Sequence, residues 1–517
     1  MLPPPRPLSP LSTTRVTRRR PTLRWQLPGG VTDVTLDLCA DRACTTPIGA
    51  PVHVTGSSYA PTSDLPTGVV FWRLHPSTTT SVTSATWELF VGPLTTAIDS
   101  ASGTVLDVNG DGLADVAVGG DTAGGGYGHV VVFPGSRTGL STPLPTLVGG
   151  AGHFGATVAS AGDLNGDGFA DLAVGAWNAA TVSIYYGSAT GLSSPTVLAA
   201  PDYAGSNFGA SFATAGDVNR DGYGDLIAGG SYAASYAGRA YVFFGSATGI
   251  AITPSITFNA PAGAGATANF GSAVTSGDAN GDGYTDLMIG APGVSTSAGL
   301  VYFYAGTSSG VSITPTSSMT AFDGSQVDFG SSLGAGDVNG DGYVDLVAGG
   351  WGYSTSTGRA YVFHGSYTGY GMYASRAMTG PEGTYSYAGW SVASAGDVNA
   401  DGFDDVIVGA YGPSTDTGSA YVYLGSGSGV PVGPSTTLHG PAGTGANFGQ
   451  AVAGAGDIDG DGDAEVVVGA PRVSSNAGRA YLYLGSTSGV AAPPSATLSD
   501  PDGFGGGFGA GVFGAMN

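Results

Sequence analysis

Asp163 to Asp171 reads DLNGDGFAD. Acidic or amide side chains stand at Asp163, Asn165, Asp167 and Asp171, and glycine at Gly168. Alternate residues of a tight loop can point several oxygens at one centre, as a hard cation such as Ca²⁺ requires. Glycine at the sixth position tolerates the backbone angles of the sharp turn. Phe169 would offer its carbonyl, and Asp171 would close the site with one or both oxygens.

Seven such loops follow one another. Their expected metal ligands are Asp107, Asn109, Asp111 and Asp115; Asp163, Asn165, Asp167 and Asp171; Asp217, Asn219, Asp221 and Asp225; Asp278, Asn280, Asp282 and Asp286; Asp337, Asn339, Asp341 and Asp345; Asp397, Asn399, Asp401 and Asp405; and Asp457, Asp459, Asp461 and Glu465. Successive loops start 56, 54, 61, 59, 60 and 60 residues apart. Up to seven Ca²⁺ sites are expected. The last carries four carboxylates where the others carry three, so it is expected to bind most tightly, because ligand charge tunes affinity.

Around each loop the same unit recurs. In the fourth, Phe270-Gly271 precedes the loop, and LMIGAP and GLVYFYAGT follow it. Three short apolar runs and a weaker fourth, such as PSITF at 254–258, predict four strands per unit and an all-β array. Phe-Gly, a calcium loop and Gly-Ala-Pro together resemble the FG-GAP repeat of integrin alpha heads, from about residue 97 to 517. That resemblance implies a seven-bladed β-propeller with calcium bracing the loops. Gly-Ala-Pro is intact at Gly290-Ala291-Pro292 and Gly469-Ala470-Pro471 and drifts elsewhere. No inserted domain interrupts the array. Thrombospondin type 3 and dockerin readings of the loop are disfavoured, since strand pattern separates the loops.

Two departures stand out. The first repeat lacks Phe-Gly, whereas Phe508-Gly509 near the C-terminus has no loop after it. Either the C-terminal strand completes the first blade, or residues 504–517 begin an eighth repeat cut short. The sixth repeat has Ala388-Gly389-Trp390 in place of Phe-Gly, so its local packing should differ.

Ahead of the array, residues 1–11 are expected to be a flexible Pro/Ser-rich arm. Residues 12–96 are expected to be a small β-sandwich around Trp25, Trp72 and Trp87. Its pattern resembles a fibronectin type III domain. Arg18-Arg19-Arg20 reads as a solvated basic run. Cys39 and Cys44 suggest a local disulfide and an oxidising compartment, the alternative being two reduced thiols. No apolar segment follows the arginines, so a signal peptide is not present in this chain and a leader is expected upstream.

The 517 residues carry a net charge of −23, of which metal sites explain most. Such acidity argues against nucleic acid as a partner, and no apolar run is long enough for membrane insertion. The expected protein is secreted or on the cell surface, and its domain order resembles that of bacterial surface proteins. No carboxylate pair is singled out, and His53, His75, His129, His153, His364 and His439 follow no motif. The chain is therefore expected not to be an enzyme but a binding or adhesion module. A lectin or an enzyme acting on polysaccharide is the alternative.

Strand alternation places the calcium loops and the GSxTG turns on one face. The unknown protein or glycan partner is expected on the opposite one. Trp177, Tyr232, Tyr236, Trp351, Tyr353, Tyr385, Tyr387 and Tyr411 belong there, either as contact anchors or packed beneath the loops.

Overall fold

The computed structural model describes residues 3–514 apart from 17, 78–81, 94–100, 123–126, 151, 325, 382, 384, 413–416 and 504–505; at 101–102 it describes the backbone alone. The expected boundary between 96 and 97 and the connection at 413–416 lie outside the described residues.

The fold is all-β. From Val116 onward the strands form seven four-stranded sheets, here numbered I to VII. Sheet II shows the pattern. Its inner strand is Phe154–Gly162, followed outward by Asp171–Ala176, Thr181–Tyr185 and Thr196–Ala199, all antiparallel. The second strands, such as DLAVGA and DLIAGG, are buried at every residue. Sheets covered on both faces require such unbroken apolar runs.

Phe-Gly joins neighbouring sheets. Gly238, Gly299 and Gly418, just before third strands, bridge to Phe270, Phe329 and Phe448 of the next sheet. Those phenylalanines are fully buried. A Cβ at Gly290 would stand 2.0 Å from the carbonyl oxygen of Gly330. The glycine of Gly-Ala-Pro therefore has to face the next Phe-Gly bare.

Sheet I is assembled from both ends of the array. Its order is Leu147–Val148, His129–Phe133, Val116–Gly120 and Phe508–Phe513. The C-terminal strand is the inner strand, with Ala117 opposite Phe513. Of the two readings of Phe508-Gly509, pairing with the first sheet is the one observed. Inner strands touch in the order Phe508–Phe513, Phe154–Gly162, Ser211–Gly216, Val274–Gly277, Leu333–Gly336, Ser391–Gly396, Val452–Gly456, and the last returns to the first.

Before the array, Arg6–Ser9, Leu23–Gln26 and Ser58–Tyr59 form a three-stranded sheet. Six strands form a second: Val52–Thr55, Asp33–Cys39, Gly68–Pro76, Trp87–Val91, Thr14–Val16 and Ala101–Thr104. Trp25, Trp72 and Trp87 are buried in one core, the latter two edge to face at 5.7 Å. Three expectations are corrected here. Arg6–Ser9 is a strand rather than part of a free arm, because it pairs with Leu23–Gln26. Arg19 and Arg20 are held, by the Leu65 carbonyl at 2.7 Å and by Asp64 at 2.7 Å. The N-terminal unit also reaches past residue 96, since Ala101–Thr104 pairs with Thr14–Val16. Cys39 and Cys44 are disulfide-bonded.

Candidate metal centres

Each loop wraps around its first carboxylate. Asp163 Oδ1 accepts the backbone N–H groups of Gly166 at 2.7 Å and Asp167 at 3.1 Å, and its Oδ2 accepts that of Gly168 at 2.8 Å. Asp107, Asp217, Asp278, Asp337, Asp397 and Asp457 accept the equivalent glycine N–H at 2.7–3.1 Å. Glycine is needed there: at Gly168 φ is +97° and a Cβ would meet the Thr86 carbonyl.

The ninth residue opens the second strand, so the sheet holds its carboxylate in place. Asp171 Oδ2 accepts from Leu164 at 2.9 Å, and Oδ1 accepts from Gly187 at 3.0 Å. Gly187 belongs to the turn between third and fourth strands, so that turn shares the loop face. Asp115, Asp225, Asp286, Asp345 and Asp405 repeat both contacts. First and ninth carboxylates are buried or nearly so, whereas the third and fifth residues lie at the rim.

The loops are also tied to one another. The eighth residue of a loop donates its N–H to the first residue's carbonyl in the preceding loop: Ala170 to Asp107, Gly224 to Asp163, Val344 to Asp278, Asp404 to Asp337 and Ala464 to Asp397, all at 2.8–3.1 Å.

Burying two facing carboxylates disfavours their charge. Burial, then the charge of Asp167, raises Asp163 to about 7. Burial raises Asp107, Asp217, Asp278 and Asp337 to about 6, and Asp286 and Asp405 to about 8. Asp115, Asp171, Asp225 and Asp345 are pushed well above the carboxylate range, with the first carboxylate of the same loop adding to burial.

The donor set fits a hard cation, being entirely oxygen. In four loops the third-position asparagine donates to the fifth-position aspartate at 2.9–3.0 Å, as Asn165 does to Asp167. The seventh loop differs. Asp457, Asp459 and Glu465 bring ligand oxygens within 4.8 Å of one another, the one such group among the described residues. Asp459 Oδ1 and Glu465 Oε1 are buried without a hydrogen-bond partner. Glu465 accepts only from Ile458, at 2.8 Å, and burial pushes it up to about 9.

Sequence reasoning missed the residues that cover this face. Arg42, inside the Cys39–Cys44 loop, donates to the carbonyls of Gly110 at 2.7 Å and Gly168 at 2.9 Å, joining the first two loops. It also reaches the buried Glu88 carboxylate at 2.6 Å and stacks over the Phe169 ring. Ser12 donates to the Gly168 carbonyl at 3.0 Å, and Arg15 pairs with Asp404. The N-terminal sheets therefore sit on the face that carries these loops. A cavity of about 760 Å³ remains between them and the second to fourth loops, with Arg18, Arg24, Asp217 and Tyr284 in its walls. A lone arginine between two cysteines carried no signal of this role.

On the opposite face the expected aromatics divide. Tyr236 and Tyr385 are 54% and 56% exposed, whereas Trp351, Tyr353, Tyr387 and Tyr411 are half-buried.

Residues 270–304, 329–363, 388–423 and 448–483 match the FG-GAP repeat, and 107–174 and 163–228 match the FG-GAP-like repeat. Human integrin alpha-IIb is 37% identical over 152 residues, 28% of this chain and 14% of that protein. Integrin alpha-4 of Xenopus laevis is 31% identical over 211 residues, 40% of this chain and 19% of that protein. The chain thus spans a fifth or less of these relatives. Among solved structures, the exotype rhamnogalacturonan lyase YesX covers 96% of this chain and 76% of its own at 14% identity and TM-score 0.33. Rhamnogalacturonan lyase YesW covers 95% and 76% at 15% identity and TM-score 0.31. The expectation of a non-enzyme is corrected on this finding, since these neighbours are enzymes; at such TM-scores the likeness assigns no reaction to this chain. The chain is an FG-GAP repeat protein whose repeats are similar in sequence to integrin alpha chains.

Proposed function

We propose that the seven sheets are the blades of a calcium-braced β-propeller, carried behind a fibronectin type III-like sandwich. It would act outside the cytosol, secreted or at the cell surface, as a binding or adhesion module. No helix among the described residues is long and apolar enough to cross a membrane.

One observation carries the metal reading. In seven loops, carboxylates one and nine are brought together with backbone N–H groups as their main partners, and in the seventh two carboxylate oxygens are buried with none. Bound Ca²⁺ would supply the missing counter-charge. The asparagine and aspartate at the third and fifth positions lie at the rim, where they can turn inward. The partner, protein or glycan, is assigned to the face opposite the loops, because the N-terminal sheets cover part of the loop face.

Thermal unfolding with millimolar Ca²⁺ and with chelator tests this reading. A Tm raised by calcium is expected, since ligands of the native state stabilise it. An unchanged Tm, with no metal found by elemental analysis, would overturn it.

A further inference from the structure

The seven repeats are an internal control, because what the fold requires should recur in each. Three positions at the junction of sheets V and VI break the pattern together. The residue before Phe-Gly is His153, Asn207, Asn269, Asp328, Asn447 or Gly507 in six repeats and Tyr387 in the sixth. The residue after it is Ala156, Ala210, Ser272, Ser331, Gln450 or Ala510, but Trp390 in the sixth. The residue ending the Gly-Ala-Pro element varies more: it is aromatic in the fifth and sixth repeats, as Trp351 and Tyr411, and elsewhere only in the second, as Trp177.

The substitution at Tyr387 runs against local preference. Tyr387 has φ +55°, and its counterparts are left-handed too, from +52° to +78°. Glycine, asparagine and aspartate suit that region, whereas a bulky residue there is an outlier. Such outliers cluster at binding sites, where surrounding structure holds them. Here the N–H of Tyr387 is bonded to the Ser356 carbonyl at 2.9 Å. Ala388 also replaces the buried phenylalanine of the other repeats. In its absence four rings gather: Tyr387 stacks on Tyr411 at 5.2 Å, Trp390 lies 5.0 Å from Tyr411, and Trp351 lies 5.5 Å from Trp390 and 6.0 Å from Tyr387. Trp390 stays 38% exposed. Exposed Ser354 and Thr355 flank the group, and Thr355 accepts the N–H of Tyr385.

We propose that this four-ring cluster binds a neutral, pyranose-containing glycan. The site deepens the binding-module reading above and rests on it. A pyranose has an apolar face of C–H groups rimmed by hydroxyls, and it matches aromatic rings edged by Ser, Thr and Tyr hydroxyls. Charge argues against the anionic class: the net charge of −23 would fall only to about −9 with seven Ca²⁺ bound, which still repels an anionic glycan.

The test uses the full chain in calcium on an array of neutral glycans, anionic glycans and cationic peptides, beside Trp390→Ala and Tyr387→Asn. Both variants install residues that other repeats carry, so the fold should accept them and Tm should not fall. The expected result is binding of a neutral glycan, weakened at least tenfold in each variant, with quenched tryptophan fluorescence in the wild type alone. A glycan bound equally by wild type and variants would overturn this site and leave the module reading standing. Binding of cationic peptides or anionic glycans alone would overturn the ligand class. No binding of any arrayed glycan would overturn the proposal.

Discussion

The N–H of Ala114 donates to the carbonyl of Asp457 at 3.0 Å. One lies in the first acidic loop and the other opens the last. The bond therefore repeats, across the junction of the array's two ends, the link that joins five of the loops to their predecessors. Together with Phe508–Phe513 in sheet I, it makes the two ends of the array one packed unit.

Removing residues 508–514 should strip sheet I of its inner strand. Phe508, Val512 and Phe513 are buried, and each such side chain contributes about 1.5–3 kcal/mol. A large drop in Tm is expected. Unchanged melting would show that the strand does not hold the array together.

Glu465→Gln should remove one bound ion. The neutral amide can still accept the Ile458 N–H, but the loop loses a carboxylate whose second oxygen has no protein partner. Calorimetric titration with Ca²⁺ should return one site fewer than the wild type. An equal stoichiometry would remove Glu465 from the ligand set.

The metal-free chain should lose stability as pH rises. A carboxyl in the unfolded chain loses its proton near pH 4. In the folded chain Asp107, Asp217, Asp278 and Asp337 keep theirs to about 6, and Asp286 and Asp405 to about 8. Across that window the folded state holds more protons than the unfolded one. Stability is therefore full below it and declines through it. Calcium binding needs the deprotonated ligands and should reverse the trend. Melting of demetallated protein at pH 5 and pH 8.5, with and without Ca²⁺, checks both signs; equal Tm values without metal would refute the first.

Arg42→Ala should loosen the N-terminal sheets from the loops. It leaves the buried Glu88 without its charged partner and takes a donor from the carbonyls of Gly110, Thr86 and Gly168, of which Gly168 keeps Ser12. Breaking a buried pair in this way costs about 3–5 kcal/mol. Lysine should not rescue it, because one ammonium cannot span the guanidinium's fork. Urea unfolding that matches the wild type would show that the contact carries no stability.

The loops were legible because their chemistry is local. Nine residues carry ligand spacing and turn glycine together, and seven copies set the register of the sheets. Phe-Gly was legible as a marker, though its reason, the bare approach of Gly290 to Gly330, needs both sheets in view. What stayed open or hidden is non-local. The pairing of Val116–Gly120 with Phe508–Phe513 stood as one of two readings of Phe508-Gly509, because the apolar pattern of either strand alone does not name its partner. Arg42 acts on Gly110 and Gly168 through carbonyls that every residue possesses, so no residue type gave it away. Arg6–Ser9 looked like an arm because proline and serine dominate it, yet an edge strand tolerates proline.

The placement of Phe508–Phe513 in sheet I also orders events in time. A chain emerging from the ribosome at roughly 5–20 residues per second exposes Val116–Gly120 early. That strand then waits for nearly the entire array before its inner neighbour exists. Contacts this distant in sequence form slowly. Until that inner strand arrives, Val116–Gly120 keeps one edge unpaired, so the two ends of the array join only after the whole repeat region has been made.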